Sequence, residues 1–225
     1  MQLARFPHHA LRRVALCAAA ALCGCLMGPG ERQSRGSVIE NELVGLLYAG
    51  DVPAAGARVR LFAGNLRLTD SLRLPVAEAS ADSLGRYRLS GIVAGVYSLL
   101  AQYDSLTYFR DSVVVSDPPK NPADVHIPQP DTLLRSGTVK AEIRLNPPDP
   151  SALIVAEILG TDLAARADSA GNVVLGGVPS GPVRIRIRSQ GGNYQTLILP
   201  VAIKPGATAS LGIQMLQPVS SDSGN

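Results

Sequence analysis

The chain has 225 residues, 46% of them hydrophobic and 17% charged, with 21 basic against 18 acidic side chains and a formal charge of +3. That is enough apolar material to bury a core, which excludes wholesale disorder. The surplus charge is carried by Arg5, Arg12 and Arg13, so residues 25–225 are balanced at eighteen against eighteen; a neutral body excludes a protein whose main work is gripping nucleic-acid phosphates, which takes clustered positive charge.

The first element is an export signal. Arg5, Arg12 and Arg13 form a positive start, Val14 to Leu22 is an apolar run too short to span a bilayer, and small Gly24 precedes a cysteine. All three cysteines, Cys17, Cys23 and Cys25, lie within this stretch, so no disulfide or thiolate metal site exists in the rest of the chain. Leu22-Cys23-Gly24-Cys25 resembles the lipobox of bacterial lipoproteins, with Cys23 standing where that family carries Ala, Ser or Thr. The resemblance implies a signal peptide over 1–24 and cleavage between Gly24 and Cys25. It also implies acylation of Cys25, with palmitate-like chains making membrane lipid the partner. Each buried CH₂ contributes about 0.8 kcal/mol, so two or three chains hold where one is marginal. Leu26 occupies the position where Asp favours inner-membrane retention in enterobacterial sorting, which implies the outer membrane of the cell envelope. An ordinary secretory signal cut elsewhere is the alternative.

Residues 25–41 are rich in Gly, Ser and polar side chains and read as a flexible tether behind the lipidated cysteine. From Glu42 short apolar runs alternate with Gly, Pro, Asn and Asp. Val139 to Leu145 places apolar residues at odd and charged residues at even positions, and Val183 to Arg188 does the same. Ala57 to Leu61 and Arg86 to Leu89 follow less completely. Period two predicts strands with one face on a core, and the absence of a helical stripe predicts an all-β sandwich or barrel.

An internal repeat divides this region. Ala81 to Gly95 aligns without gaps on Ala167 to Gly181 at an offset of 86 residues, with seven identities, which predicts two tandem copies of one fold. Sandwich 1 is expected over 42–128 with Ala123 to Ile127 as its last strand, and sandwich 2 over 131–217. Pro128 and Pro130 stiffen the joint, and a disordered tail covers 218–225. Asp82 and Gly85, with their counterparts Asp168 and Gly171, are read as a turn in which Asp bonds nearby backbone and Gly accepts positive φ. Gly91 and Gly95, with Gly177 and Gly181, are read as the next turn. These strings, "DVPAAGARVRLF" followed by "ADSLGRYRLSGIVAGVYSLLAQ", resemble the carboxypeptidase regulatory-like domains, and residues 160–187, "GTDLAARADSAGNVVLGGVPSGPVRIRI", resemble a divergent member. The resemblance implies two transthyretin-like or Ig-like Greek-key β-sandwiches without a peptidase centre. Gly64 to Pro75 is an insertion in the first copy.

Catalytic and metal-ligating residues are expected to be none, and no cofactor is expected. His126 is the single histidine after the signal, and there is no His-Glu-x-x-His or Gly-x-Ser-x-Gly pattern. Arg184, Arg186 and Arg188 share one strand face; a solvated face is the plainer reading, and an acidic polysaccharide or lipid contact the sharper one. Tyr103, Tyr108 and Phe109 are either packing residues or a sugar-stacking platform. The function expected is a non-enzymatic, lipid-anchored envelope protein acting as a binding or spacer module, with an envelope protein or polysaccharide as further partner and no nucleic acid. A carbohydrate-binding lipoprotein is the alternative, and a carboxylate-based hydrolase the third reading.

Overall fold

A computed structural model of the protein describes residues 41–64, 74–116 and 130–219, all within one compact unit, Val38–Asn225. The signal segment, Cys25, the tether and His126 lie outside the described residues, as does the expected strand Ala123 to Ile127. Every regular element described is a strand, so the chain is all-β.

In the first half the chain forms β1 (Asn41–Ala49), β2 (Val52–Pro53), β3 (Arg58–Ala63), β4 (Ala77–Ser80), β5 (Arg86–Ile92), β6 (Gly95–Tyr103), β7 (Leu106–Val115) and β8 (Asp131–Arg135). The second half gives β9 (Gly137–Leu145), β10 (Ile154–Ile158), β11 (Ala164–Arg166), β12 (Asn172–Val178), β13 (Gly181–Ser189), β14 (Leu197–Ile203) and β15 (Thr208–Leu216). The order β4-β3-β6-β7 recurs as β11-β10-β13-β14. Facing it, β5-β1-β8 recurs as β12-β9-β15, with the first strand parallel to the last in both halves. The two layers enclose separate cores. Leu47, Val59, Leu61, Leu89, Leu99 and Leu133 are buried in the first, and Val139, Ile143, Ile158, Val173, Ile185 and Leu216 in the second. Alternation thus does what period two requires: Val183, Ile185 and Ile187 point in, and the residues between them lie on the other face.

One expected boundary moves. The strand Asp131–Arg135, read as the opening of the second sandwich, pairs with β1 and β7, so it is the last strand of the first. The chain passes from one core to the other at Ser136. The insertion is where it was expected: thirteen residues separate β3 from β4, and five separate β10 from β11.

The copies fill the same core position with different volumes. Gly45 on β1 stands opposite Tyr87 on β5, whereas Ala141 stands opposite Val173. A Cβ on Gly45 would lie 2.3 Å from the Tyr87 hydroxyl, so the ring occupies space that the glycine leaves. Burial, and secondarily the charge of Asp131, push the Tyr87 phenol up to about 12. A phenol whose pKa is raised by folding contributes stability that is complete below the ordinary value and is lost as pH rises through the folded value. Tyr87→Phe is therefore expected to flatten the loss of stability between about pH 10 and pH 12, read from denaturation midpoints across that window.

Candidate functional site

The repeated turns are built alike. Asp82 Oδ1 accepts from the backbone N–H of Leu84 (2.8 Å) and of Arg86 (2.9 Å), and Asp168 Oδ1 accepts from Ala170 (2.9 Å) and Asn172 (2.8 Å). The backbone bond from Asn172, then its side-chain amide, hold the Asp168 carboxyl below the usual carboxylate range. Gly85 and Gly171 sit at φ +76° and +85°, and each carbonyl accepts from the adjoining first strand, at Leu47 N and Ile143 N, both 2.8 Å away. Gly91 and Gly177 are left-handed as well, at φ +72° and +69°. Gly95 and Gly181 are not equivalent. Gly181 has φ +104°, while Gly95 serves by leaving room for the Tyr97 ring, whose nearest atom lies 3.2 Å from where a Cβ would be. These are exposed hairpin devices that set register, and the carboxylates in them are spent on backbone N–H groups.

The other concentration of polar chemistry lies where the two sandwiches meet. On the outer face of the first, β3 presents Arg60, β6 presents Ser98 and Leu100, and β7 presents Phe109. All but Phe109 are buried although they point away from their own core. The second sandwich contributes the turn after β10 and Arg184 on β13. Arg60 pairs with Asp162 and with Gln102, and its guanidinium lies 5.8 Å from the Phe62 ring centroid. Gly160 takes φ +87° in that turn, and a side chain there would strike Ser98 and the Phe109 ring.

A bulge in β7 aims the second pair. Its register with β6 shifts between Tyr97 and Leu99, and Ser112 takes φ +62°. Asp111 Oδ1 then accepts from Ser98 Oγ (3.0 Å) and Ser112 N (2.9 Å), and its Oδ2 accepts from Arg184 (2.9 Å). Backbone closes the rest: Ser136 N donates to Ser105 O (2.9 Å), and Ser180 Oγ to Arg135 O (2.6 Å). Beside the Asp111–Arg184 pair runs an apolar groove of about 510 Å³ lined by Phe109, Leu159, Val183, Pro200 and Val201. It offers apolar contact and one ion pair. Among its described lining residues there is no nucleophile beside a base, which acyl or glycosyl transfer would need.

The arginine strand differs from both of its sequence readings. Arg184 pairs with Asp111. Arg186 is fully buried and Arg188 nearly so, and both donate to Glu157 Oε1, at 2.7 and 3.0 Å. The face is thus solvated at Arg184 alone, while at Arg186 and Arg188 it is covered and not open to a polyanion. The aromatic trio does not make one platform. Tyr103 and Tyr108 pack against the first core and Phe109 against the second. Tyr108 belongs to a cluster that sequence reasoning missed. Buried Asp131 accepts from Arg110 (3.1 Å), whose guanidinium lies 5.7 Å from the Tyr108 ring centroid. Burial and then the hydrogen bond to Asp131 push the Tyr108 phenol well above its ordinary value. The cluster fastens β8 to β7. Among the described residues no group of three His, Cys, Asp or Glu is placed to hold a metal ion.

No protein-family model matches the chain, and no curated protein matches it. Solved structures do. GBS52, the minor pilin of Streptococcus agalactiae, is 15% identical over 81% of this chain and 98% of its own, with a TM-score of 0.37. The shaft pilin SpaA of Lactobacillus rhamnosus GG is 9% identical over 80% of this chain and 99% of its own, with a TM-score of 0.29. A type II cohesin–X–dockerin complex of Acetivibrio cellulolyticus is 22% identical over 36% of this chain, which spans 58% of the matched chain, with a TM-score of 0.31. The β-sandwich class rests on the strand order and the two cores given above.

Proposed function

We propose that the protein is a non-enzymatic, lipid-anchored envelope protein whose two sandwiches act together as a stiff binding or spacer module. The observation that carries the module is the junction. Arg60–Asp162 and Asp111–Arg184 cross it, and the linker between the cores is the single residue Ser136, itself hydrogen-bonded. A flexible two-domain chain would place a polar linker there and leave the facing surfaces wet. The lipobox at Cys25 supplies the anchoring half of the reading, and an envelope protein is the partner class that suits an exposed groove without catalytic groups.

Two measurements test it. Mass spectrometry of the mature N-terminus is expected to find acylated Cys25, and an unmodified terminus elsewhere would remove the anchor. NMR relaxation of the purified chain is expected to give one rotational correlation time for both sandwiches. Asp162→Ala leaves buried Arg60 without its carboxylate and should cost about 3 kcal/mol, the low end for breaking such a pair because Asp162 is partly exposed. It should also separate the correlation times of the two halves. Two correlation times already in the unmodified protein would overturn the stiff-module reading.

A further inference from the structure

One end of the first sandwich carries an apolar surface that the junction does not use. β1 starts at Asn41, opposite Ile92 at the end of β5. Residues 93–94 turn directly into β6, so the start of β6 is at the same end. There Gly95 stands opposite Val115 at the end of β7, and Tyr97 opposite Ala63 at the end of β3. The chain leaving β1 toward Cys25 therefore departs from the end where Val93, Val96 and Val114 are exposed, at 58%, 43% and 69%. Val96 and Val114 are direct cross-strand partners on the outer face, and none of the three is charged.

The second copy shows how the fold uses this position. By the offset of 86, Val96 corresponds to Pro182, and the strand register makes Ala202 the counterpart of Val114. Pro182 and Ala202 line the groove beside Phe109 of the first sandwich. In the second copy, then, this corner lies beside the other sandwich. In the first copy it is exposed among the described residues, and it carries larger apolar side chains.

We propose that the occupant of the exposed corner is the lipid surface that holds Cys25, so that the protein stands on its bilayer with Val93, Val96 and Val114 against it. The proposal rests on the lipoprotein reading. Fifteen residues, and so sixteen Cα–Cα steps, separate Cys25 from Asn41, a reach of at most about 55 Å, and β1 begins at the end where the valines lie. The acylated cysteine thus keeps this corner, more than the opposite end of the described sandwich, at high local concentration next to the bilayer. An uncharged apolar corner carries no repulsion from anionic headgroups and can enter the headgroup boundary.

The mature chain would contain no cysteine besides Cys25, so single thiol probes are clean. The lipidated full-length protein, carrying a fluorophore at Val93→Cys, Val114→Cys or Val52→Cys, is placed in vesicles of phosphatidylethanolamine and phosphatidylglycerol doped with brominated lipid. Val52 is exposed and lies beyond the far end of β1, about 27 Å away. Quenching is expected to be about threefold or more stronger at Val93 and Val114 than at Val52. Vesicles that float with the protein but quench both ends equally would overturn the apposition and leave the anchor standing. Failure to float would overturn the anchor and the apposition together. Val96→Asp combined with Val114→Asp changes exposed positions only. It is expected to abolish the difference while flotation persists, and a difference that survives would overturn the apolar contact. Quenching that depends on protein density and not on brominated lipid would overturn it in favour of a second copy of the chain.

Discussion

Glu157→Ala is expected to destabilise the protein by about 3–5 kcal/mol, read as a fall in the denaturant midpoint at unchanged slope. A single carboxylate oxygen takes hydrogen bonds from both Arg186 and Arg188, and the three side chains are 8%, 0% and 12% exposed. Taking the carboxylate away removes the Glu157 charge from beside two guanidinium groups in a poorly solvated place, which is the expensive way to break a buried pair. The protein contains its own control. At the position equivalent to Arg186 the first sandwich carries Leu100, equally buried. Arg186→Leu and Arg188→Leu together with Glu157→Leu should therefore cost far less than Glu157→Ala alone, because no charge of the trio then remains to be compensated. A Glu157→Ala protein as stable as the parent would mean that this face opens to water.

Gly85→Ala and Gly171→Ala are expected to be of similar severity, about 4 kcal/mol each, measured by thermal or urea unfolding. Two penalties combine. Alanine at φ near +80° is strained by about 1 kcal/mol. The new Cβ would also stand 2.3 Å from Leu47 O or 2.2 Å from Ile143 O, and these are backbone atoms of the central strands β1 and β9, which cannot swing aside as a side chain can. Gly177→Ala separates the two contributions. Its φ is +69° with nothing within 4 Å of the added carbon, so it should cost only the strain, about 1 kcal/mol. Equal losses at Gly171 and Gly177 would show that the close approach to Ile143 is relieved by movement of the strand.

The all-β class and the doubled plan were legible because both are local. Period two in Val139 to Leu145 and the turn residues around Asp82 and Asp168 need no knowledge of distant neighbours. The extent of the repeat was less legible for a mechanical reason. By register β1 and β9 are offset by 96 residues, β3 and β10 by 97 and β5 and β12 by 86. The longer connection between β3 and β4 shifts the register, and an ungapped alignment detects only the strands beyond that connection. The strand Asp131–Arg135 was misplaced because prolines beside it look like a joint, while its partners β1 and β7 are remote in sequence.

The arginines show a different limit. Alternation says which side of a strand a residue is on, and it is silent about whether another element covers that side. Arg60 and Arg186 both sit on the face away from their own core and are both buried, each held by a carboxylate far along the chain, Asp162 and Glu157. The glycines carry the same lesson at smaller scale. Gly95 and Gly181 match letter for letter, yet only one of them needs the left-handed backbone.

The parallel pairing of first and last strands decides how each sandwich bears load. A chain fixed at one end and pulled at the other draws such a pair in opposite directions along its length, so every rung is stressed at once and none can peel ahead of the rest. β9 and β15 share seven such rungs, whereas β1 and β8 share three. Under tension the outer sandwich should hold and the one beside the tether should yield first, making the first copy the mechanical fuse of the molecule.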